Sequence, residues 1–125
     1  MRILIVEDSP LVQQMYGLAF SRREHKLTTA NDGRAALAQL ADPASCFDVI
    51  LLDLRMPGMN GVEFLREVRR DARLARLPIV LTTTEPGESE LLREARRLGV
   101  TAVVKKPWRP QQLRDLVEQI IHGGE

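Results

Sequence analysis

Glu7, Asp8, Asp53 and Lys106 are side chains whose types and positions in this sequence could do chemistry. They stand at the ends of short apolar runs: Ile3-Leu4-Ile5-Val6 before Glu7-Asp8, Val49-Ile50-Leu51-Leu52 before Asp53, and Val100 to Val104 before Lys105-Lys106. Carboxylates gathered in one cleft repel one another, so one stays protonated or a cation compensates. With oxygen ligands only and a rim open to water, Mg²⁺ suits such a set. The Lys106 ammonium would pair with the oxygens of a phosphoryl group carried by a carboxylate. The triplet Thr82-Thr83-Thr84, after the run Ile79-Val80-Leu81, adds a hydroxyl donor. Metal, ammonium and hydroxyl around a nucleophilic carboxylate are what a phosphoryl-transfer transition state needs. Singly, each signal is weak: an acidic pair after a strand, or a lysine before Pro107, is more often a turn residue.

Strands must bring these residues together. The apolar runs are continuous rather than alternating, which suits strands buried on both faces of a parallel sheet. A weaker run lies around Leu27-Thr28-Thr29-Ala30, and amphipathic stretches separate all five, so the chain reads strand-helix five times over. In such α/β folds ligands bind beyond the carboxyl ends of the strands. Right-handed crossovers set strand one beside strand three, so Glu7, Asp8 and Asp53 converge.

Strand one is expected over Arg2 to Val6. Ser9-Pro10 starts helix one, which runs to about Ser21. A short second strand ends near Ala30, and Asp32 caps a helix from Gly33 to about Leu40. Strand three ends at Leu52, and Asn60 with Glu63 forms a capping pair for helix three. Pro78 opens strand four. Helix four carries Leu91, Ala95 and Leu98 on one face, with Gly99 past its end. Strand five runs to Lys105, and Pro110 starts helix five, whose Leu113, Leu116, Val117, Ile120 and Ile121 form a core-facing stripe.

A chain of 125 residues is one domain, long enough for one ordinary core. Eighteen basic against 17 acidic residues leave a net charge of +1, too balanced for nucleic acid or a membrane surface to be the main partner. The arginines from Arg66 to Arg76 and from Arg93 to Arg97 alternate with glutamates at helical spacing and read as solvated faces. The single Cys46 fits a reducing compartment. His25 and His122 have no partner at ligand spacing, which argues against zinc. No apolar stretch approaches a membrane span and no signal peptide precedes the first strand, so the cytoplasm is the expected location.

The chain resembles the receiver domain of bacterial two-component response regulators over essentially its whole length. The matching segments are Ile3 to Asp8, Asp48 to Gly61 with Asp53-Leu54-Arg55-Met56-Pro57-Gly58 inside it, Pro78 to Glu85, and Val104-Lys105-Lys106-Pro107-Trp108. The resemblance implies a flavodoxin-like (βα)5 fold, a doubly wound five-stranded parallel sheet in order 2-1-3-4-5. It implies a receiver domain over residues 1–122, with 123–125 a tail or the start of a linker. Carried over by position, Asp53 is the phosphoacceptor. Glu7, Asp8 and Asp53 hold Mg²⁺ with the backbone carbonyl of Arg55. Lys106 contacts the phosphoryl group, its bond to Pro107 is cis, and Thr83, counted from Pro78, is the switch hydroxyl. The implied phosphodonor is a sensor histidine kinase or phosphotransfer protein. The implied output is a partner or domain meeting the face of helix four, strand five and helix five, with a phosphorylation-dependent homodimer as a further option. Such a protein is a signalling phosphoprotein that catalyses only its own phosphorylation and dephosphorylation, not an enzyme turning over a metabolite.

Departures from the family pattern matter. Val103 stands where an aromatic residue is frequent, so an aromatic swing coupled to Thr83 is unavailable in its usual form. Thr84 stands where a smaller residue is common and would narrow the site. Arg109 replaces a common hydroxyl cap of helix five. Arg55 and Glu85, two residues beyond Asp53 and Thr83, should meet across the mouth of the site as a gate that slows hydrolysis. Two rivals remain: a phosphate-independent module of the same fold, and a free-standing enzyme such as an aspartyl phosphatase or nucleotide binder. Against the second, the chain has Asp53-Leu54-Arg55 rather than Asp-x-Asp, and lacks a Gly-x-Gly-x-x-Gly turn and a P-loop lysine.

Overall fold

A computed structural model of the chain describes residues 1–123. Strands β1 (Arg2–Val6), β2 (Lys26–Ala30), β3 (Val49–Asp53), β4 (Ile79–Thr83) and β5 (Ala102–Lys105) form one parallel sheet in the order β2-β1-β3-β4-β5. Helices α1 (Pro10–Ala19), α2 (Gly33–Ala41), α3 (Gly61–Arg70), α4 (Glu90–Arg97) and α5 (Pro110–His122) follow the strands in turn. For the expected tail, Gly124 and Glu125 lie outside the described residues.

The pleat sends alternate side chains into two cores, which is why the strands show no polar alternation. Leu4, Val6, Ile50, Leu52, Ile79 and Leu81 pack with α2, α3 and α4. Ile3, Ile5, Val49, Leu51, Val80 and Val104 pack with Tyr16, Phe20, Leu113 and Val117 of the α1 and α5 layer. The row Ile3-Ile5 leads on to Glu7, Val49-Leu51 to Asp53, Val80 to Thr82 and Val104 to Lys106. One pleat beyond the α1–α5 core, the sheet therefore changes from apolar to polar on a single face.

Capping chemistry starts most helices where expected. Ser9 Oγ accepts from Val12 N (3.3 Å), Asp32 Oδ1 from Ala35 N (2.8 Å) and Ser89 Oγ from Leu92 N (3.3 Å). Asn60 and Glu63 complete a reciprocal capping box at 2.9 and 3.1 Å. At α5, Arg109 makes no side-chain cap bond; its own N–H donates instead to Gln112 Oε1 at 3.4 Å. Gly61 is required by contact: a Cβ there would lie 2.8 Å from both Asp53 O and Leu54 Cα. Gly99 ends α4 with φ +90°, the left-handed conformation glycine adopts freely.

Several boundaries differ from expectation. Helix α1 stops at Ala19, because Phe20 turns extended, buries its ring and donates its N–H to Tyr16 O at 2.9 Å. Helix α4 buries Leu92 and Ala95, leaving Leu91 and Leu98 half-buried. Strand β5 starts at Ala102 rather than Val100, since Thr101 closes the preceding turn against Ile79 through its N–H (2.8 Å) and hydroxyl (3.2 Å). A 3₁₀ turn over Ala72–Leu74, capped by Asp71, was not foreseen. Arg69 ties this region together: its guanidinium donates to Leu98 O, Leu74 O and Ala75 O at 3.2 Å each, and to Gly99 O at 2.5 Å. Among the described residues no helix is long and apolar enough to cross a membrane.

Candidate functional site

Strands β1 and β3 are direct neighbours, with Val6 opposite Leu52, so Glu7, Asp8 and Asp53 meet at their carboxyl ends. One oxygen from each carboxylate lies within 4.8 Å of the others. Asp53 is itself the last residue of β3, one residue beyond the expected strand end at Leu52. Glu7 is buried at 1% exposure and Asp53 at 8%, whereas Asp8 faces solvent. Lys106 reaches in from the end of β5, its Nζ 2.9 Å from Glu7 Oε1 and 3.3 Å from Asp53 Oδ1. The Lys106–Pro107 bond is cis.

The electrostatics follow from this crowding. Burial raises the Glu7 carboxyl above its ordinary range; Lys106 opposes the rise and Asp53 adds to it. Asp53 is raised for the same first reason, with Lys106 and the Arg55 backbone N–H opposing and Asp8 adding to the rise. A single ammonium does not balance the acids, and a small dication would. Three carboxylates on a partly open rim, with no nitrogen or sulfur donor among them, fit Mg²⁺ or Mn²⁺ by donor type and spacing.

The hydroxyls divide between two pleats. Thr82, opposite Asp53 in the sheet, points into the α1–α5 layer, where its Oγ1 and the Tyr16 hydroxyl share a hydrogen bond of 2.7 Å. Thr83, opposite Lys105, is buried, and its Oγ1 accepts the Glu85 N–H at 3.0 Å rather than meeting a carboxylate of the cluster. Thr84 is exposed and, with Val12, Met15, Lys106, Pro107 and Trp108, borders an apolar pocket of about 160 Å³ beside the cluster. It flanks the site instead of filling it.

Arg55 and Glu85 form an ion pair through Arg55 Nε and Glu85 Oε1, with the arginine largely in solvent and the glutamate buried. The Lys105 ammonium donates to the Glu85 carbonyl, which ties the β4–α4 loop to β5. Val103 is half-buried against the α2–α4 core.

Lys105, Tyr16 and Trp108 were given no role from sequence, and Thr82 was named only within the hydroxyl triplet. A signal existed for two of them. A tyrosine on the inner side of a short helix and a threonine inside a strand buried on both faces each bring a polar atom that needs a partner.

The arrangement matches known proteins. The family model described as response regulator receiver domain matches residues 3–118, and the chain belongs to that family. It is 35% identical over 125 residues to the chemotaxis protein CheY of Pseudomonas aeruginosa, covering 96% of this chain and 95% of that protein. The crystal structure of the phosphorylated cyanobacterial phytochrome response regulator RcpA superposes with a TM-score of 0.82 at 30% identity, covering 99% of this chain and 95% of that one. The Mn²⁺-bound form of response regulator Rcp1 superposes with a TM-score of 0.78 at 30% identity, covering 95% and 90%. Receiver domains are signalling modules rather than metabolic enzymes, and the cluster of Glu7, Asp8 and Asp53 is compatible with Mg²⁺ and with phosphorylation.

Proposed function

We propose that this chain is a phosphorylation-activated switch of a bacterial two-component pathway, with residues 1–122 as the receiver unit and Asp53 as the acceptor. The observation that carries the reading is the convergence on Asp53 of two further carboxylates and Lys106, 3.3 Å away, at the carboxyl edge of a parallel sheet. The Asp53 carboxylate attacks phosphorus as the bond to the donor breaks. The donor is a phosphohistidine of a kinase or phosphotransfer protein, or a small acyl phosphate whose carboxylate departs. Mg²⁺ held by Glu7, Asp8, Asp53 and the Arg55 carbonyl would neutralise charge on the transferring oxygens. Lys106, already poised between Glu7 and Asp53, takes up one of those oxygens.

The added charge and acceptor oxygens then draw the Thr83 hydroxyl away from the Glu85 N–H and toward the phosphoryl group. That biases the β4–α4 loop and the face of α4, β5 and α5, where an output partner or domain binds or a second copy pairs. The chain turns over no metabolite and works in the cytoplasm, away from membrane and nucleic acid.

Acetyl phosphate with Mg²⁺ should add one phosphoryl group. Asp53→Asn should abolish labelling, and Asp8→Asn should reduce it strongly by weakening the metal site. Undiminished labelling of Asp53→Asn overturns the assignment. Beryllofluoride uptake with Mg²⁺ separates this reading from a phosphate-independent module, to which Val103 lends some support.

A further inference from the structure

Thr83 and Thr82 occupy opposite pleats of β4. Thr83 follows Ile79 and Leu81 into the core under α2, α3 and α4, on the side where Val103 offers no aromatic ring. Thr82 follows Val80 into the core under α1 and α5, on the side shared by Glu7, Asp53 and Lys106. On that side the chain does place an aromatic ring. Tyr16 is fully buried and shares its hydroxyl with Thr82 at 2.7 Å. Its ring lies 4.9 Å from that of Trp108, tilted by 32°. Trp108 in turn follows Lys106 and Pro107 and is 4% exposed. Tyr16 therefore touches both segments that phosphorylation draws together, the end of β4 and the connection from β5 to α5.

We propose that Tyr16 is a positioning residue of the switch, coupling the end of β4 to the β5–α5 connection through Thr82 and Trp108 and carrying the state of Asp53 to the packing of α1 on α5. The inference rests on Asp53 being the acceptor. Thr82 and Tyr16 are each 0% exposed, so water cannot replace their hydrogen bond. A displacement of Thr82 either drags the phenol with it or strands a buried hydroxyl, and the first is the cheaper outcome. The phenol then moves against Trp108, whose backbone is pulled from the other side by Lys106. Close-packed interiors pass on such shifts as discrete repacking. The signal thus reaches α1 and α5 by a route that does not use position 103.

Trp108 is the single tryptophan, so the emission comes from the ring in contact with Tyr16. The experiment follows Trp108 emission and fluorine NMR of bound beryllofluoride together, in the presence of Mg²⁺. Wild type and Tyr16→Phe/Thr82→Val are compared. Replacing both hydrogen-bond partners by apolar groups of similar shape keeps the fold. In wild type, emission should change with the same midpoint as fluoride uptake. The double variant should still take up fluoride and lose the emission response, while Thr82→Ser, which keeps the hydroxyl, should retain it. A full response in the double variant, or a silent Trp108 in fluoride-loaded wild type, overturns the proposal and leaves Asp53 as acceptor. Absence of fluoride uptake by wild type overturns both.

Discussion

Lys106→Met tests the electrostatic account of the site. Its ammonium sits 2.9 Å from Glu7 and 3.3 Å from Asp53, with 18% of the side chain exposed. At an effective dielectric constant of about 20, each contact is worth on the order of 5–6 kcal/mol before desolvation. Breaking a buried pair on one side leaves about 3–5 kcal/mol of destabilisation, and partial exposure points to the lower figure, about 3 kcal/mol. An unfolding entropy of about 2.1 cal/mol/K per residue over 125 residues converts this to a fall in Tm on the order of 10 °C at neutral pH without metal. The dependence on pH has a definite sign. Both carboxyls are raised by burial, so the folded state holds their protons more tightly than the unfolded chain does. Their contribution to stability is complete in acid, below the unfolded values, and is lost as pH rises through the raised folded ones. Without Lys106 that loss is larger. The deficit of the variant is therefore greatest at neutral pH and shrinks as pH falls through the raised folded values, where both carboxyls take up protons. Mg²⁺ at roughly 100 times its Kd would restore about 2.7 kcal/mol. Thermal melts of both proteins across this pH range, with and without Mg²⁺, give the answer. A neutral-pH deficit below about 3 °C, or an equal deficit in acid, refutes the reasoning.

If the Arg55–Glu85 pair and Thr84 shield the phosphorus from an in-line water, Arg55→Ala, Glu85→Ala or Thr84→Ala speeds phosphate release from the phosphorylated protein; no acceleration in any of the three places the control of lifetime elsewhere. Loading with beryllofluoride should change amide exchange in the Thr83–Gly87 loop and in α4, and unchanged exchange from Thr83 to Gly99 would rule out the proposed output face. Gly61→Ala forces a Cβ against the backbone of Asp53 and Leu54, so it should cost about 1–3 kcal/mol and slow labelling of Asp53, measured by urea melts and acetyl phosphate kinetics.

Much of this was readable from residues because the relevant signals are local. Continuous apolar runs marked the strands, Asn60 and Glu63 announced the start of α3, and chain crossover rules alone brought Glu7 beside Asp53. The strand order came from resemblance, while Lys106 was read first from its place at the end of strand five and then carried over by resemblance. Less legible features depend on which pleat a residue occupies. A boundary error of one residue at Asp53 hid the fact that it shares a face with Thr82, and so the pairing of Thr82 with Tyr16 went unseen. The turn at Ala72–Leu74 and the grip of Arg69 involve backbone carbonyls, which carry no sequence signature. The choice of Leu92 over Leu91 as the buried residue of α4 reflects how the helix rolls on its neighbours, which periodicity over eight residues cannot decide.

The four carbonyls held by Arg69 set the mechanics of α4. They lie at the far end of the helix from the acidic cluster, two of them at Leu98 and Gly99 just past its last turn and two in the turn before β4. A rod fastened at one end tilts rather than slides. Helix α4 is eight residues long, about 12 Å, so a small tilt about that anchor moves its first turn most and its last turn hardly at all. The loop from Thr84 to Ser89 is then the moving tip of a short lever, driven close to its free end by whatever happens at Thr83, and a partner gripping Glu90 and Leu91 feels more displacement than one gripping Arg97.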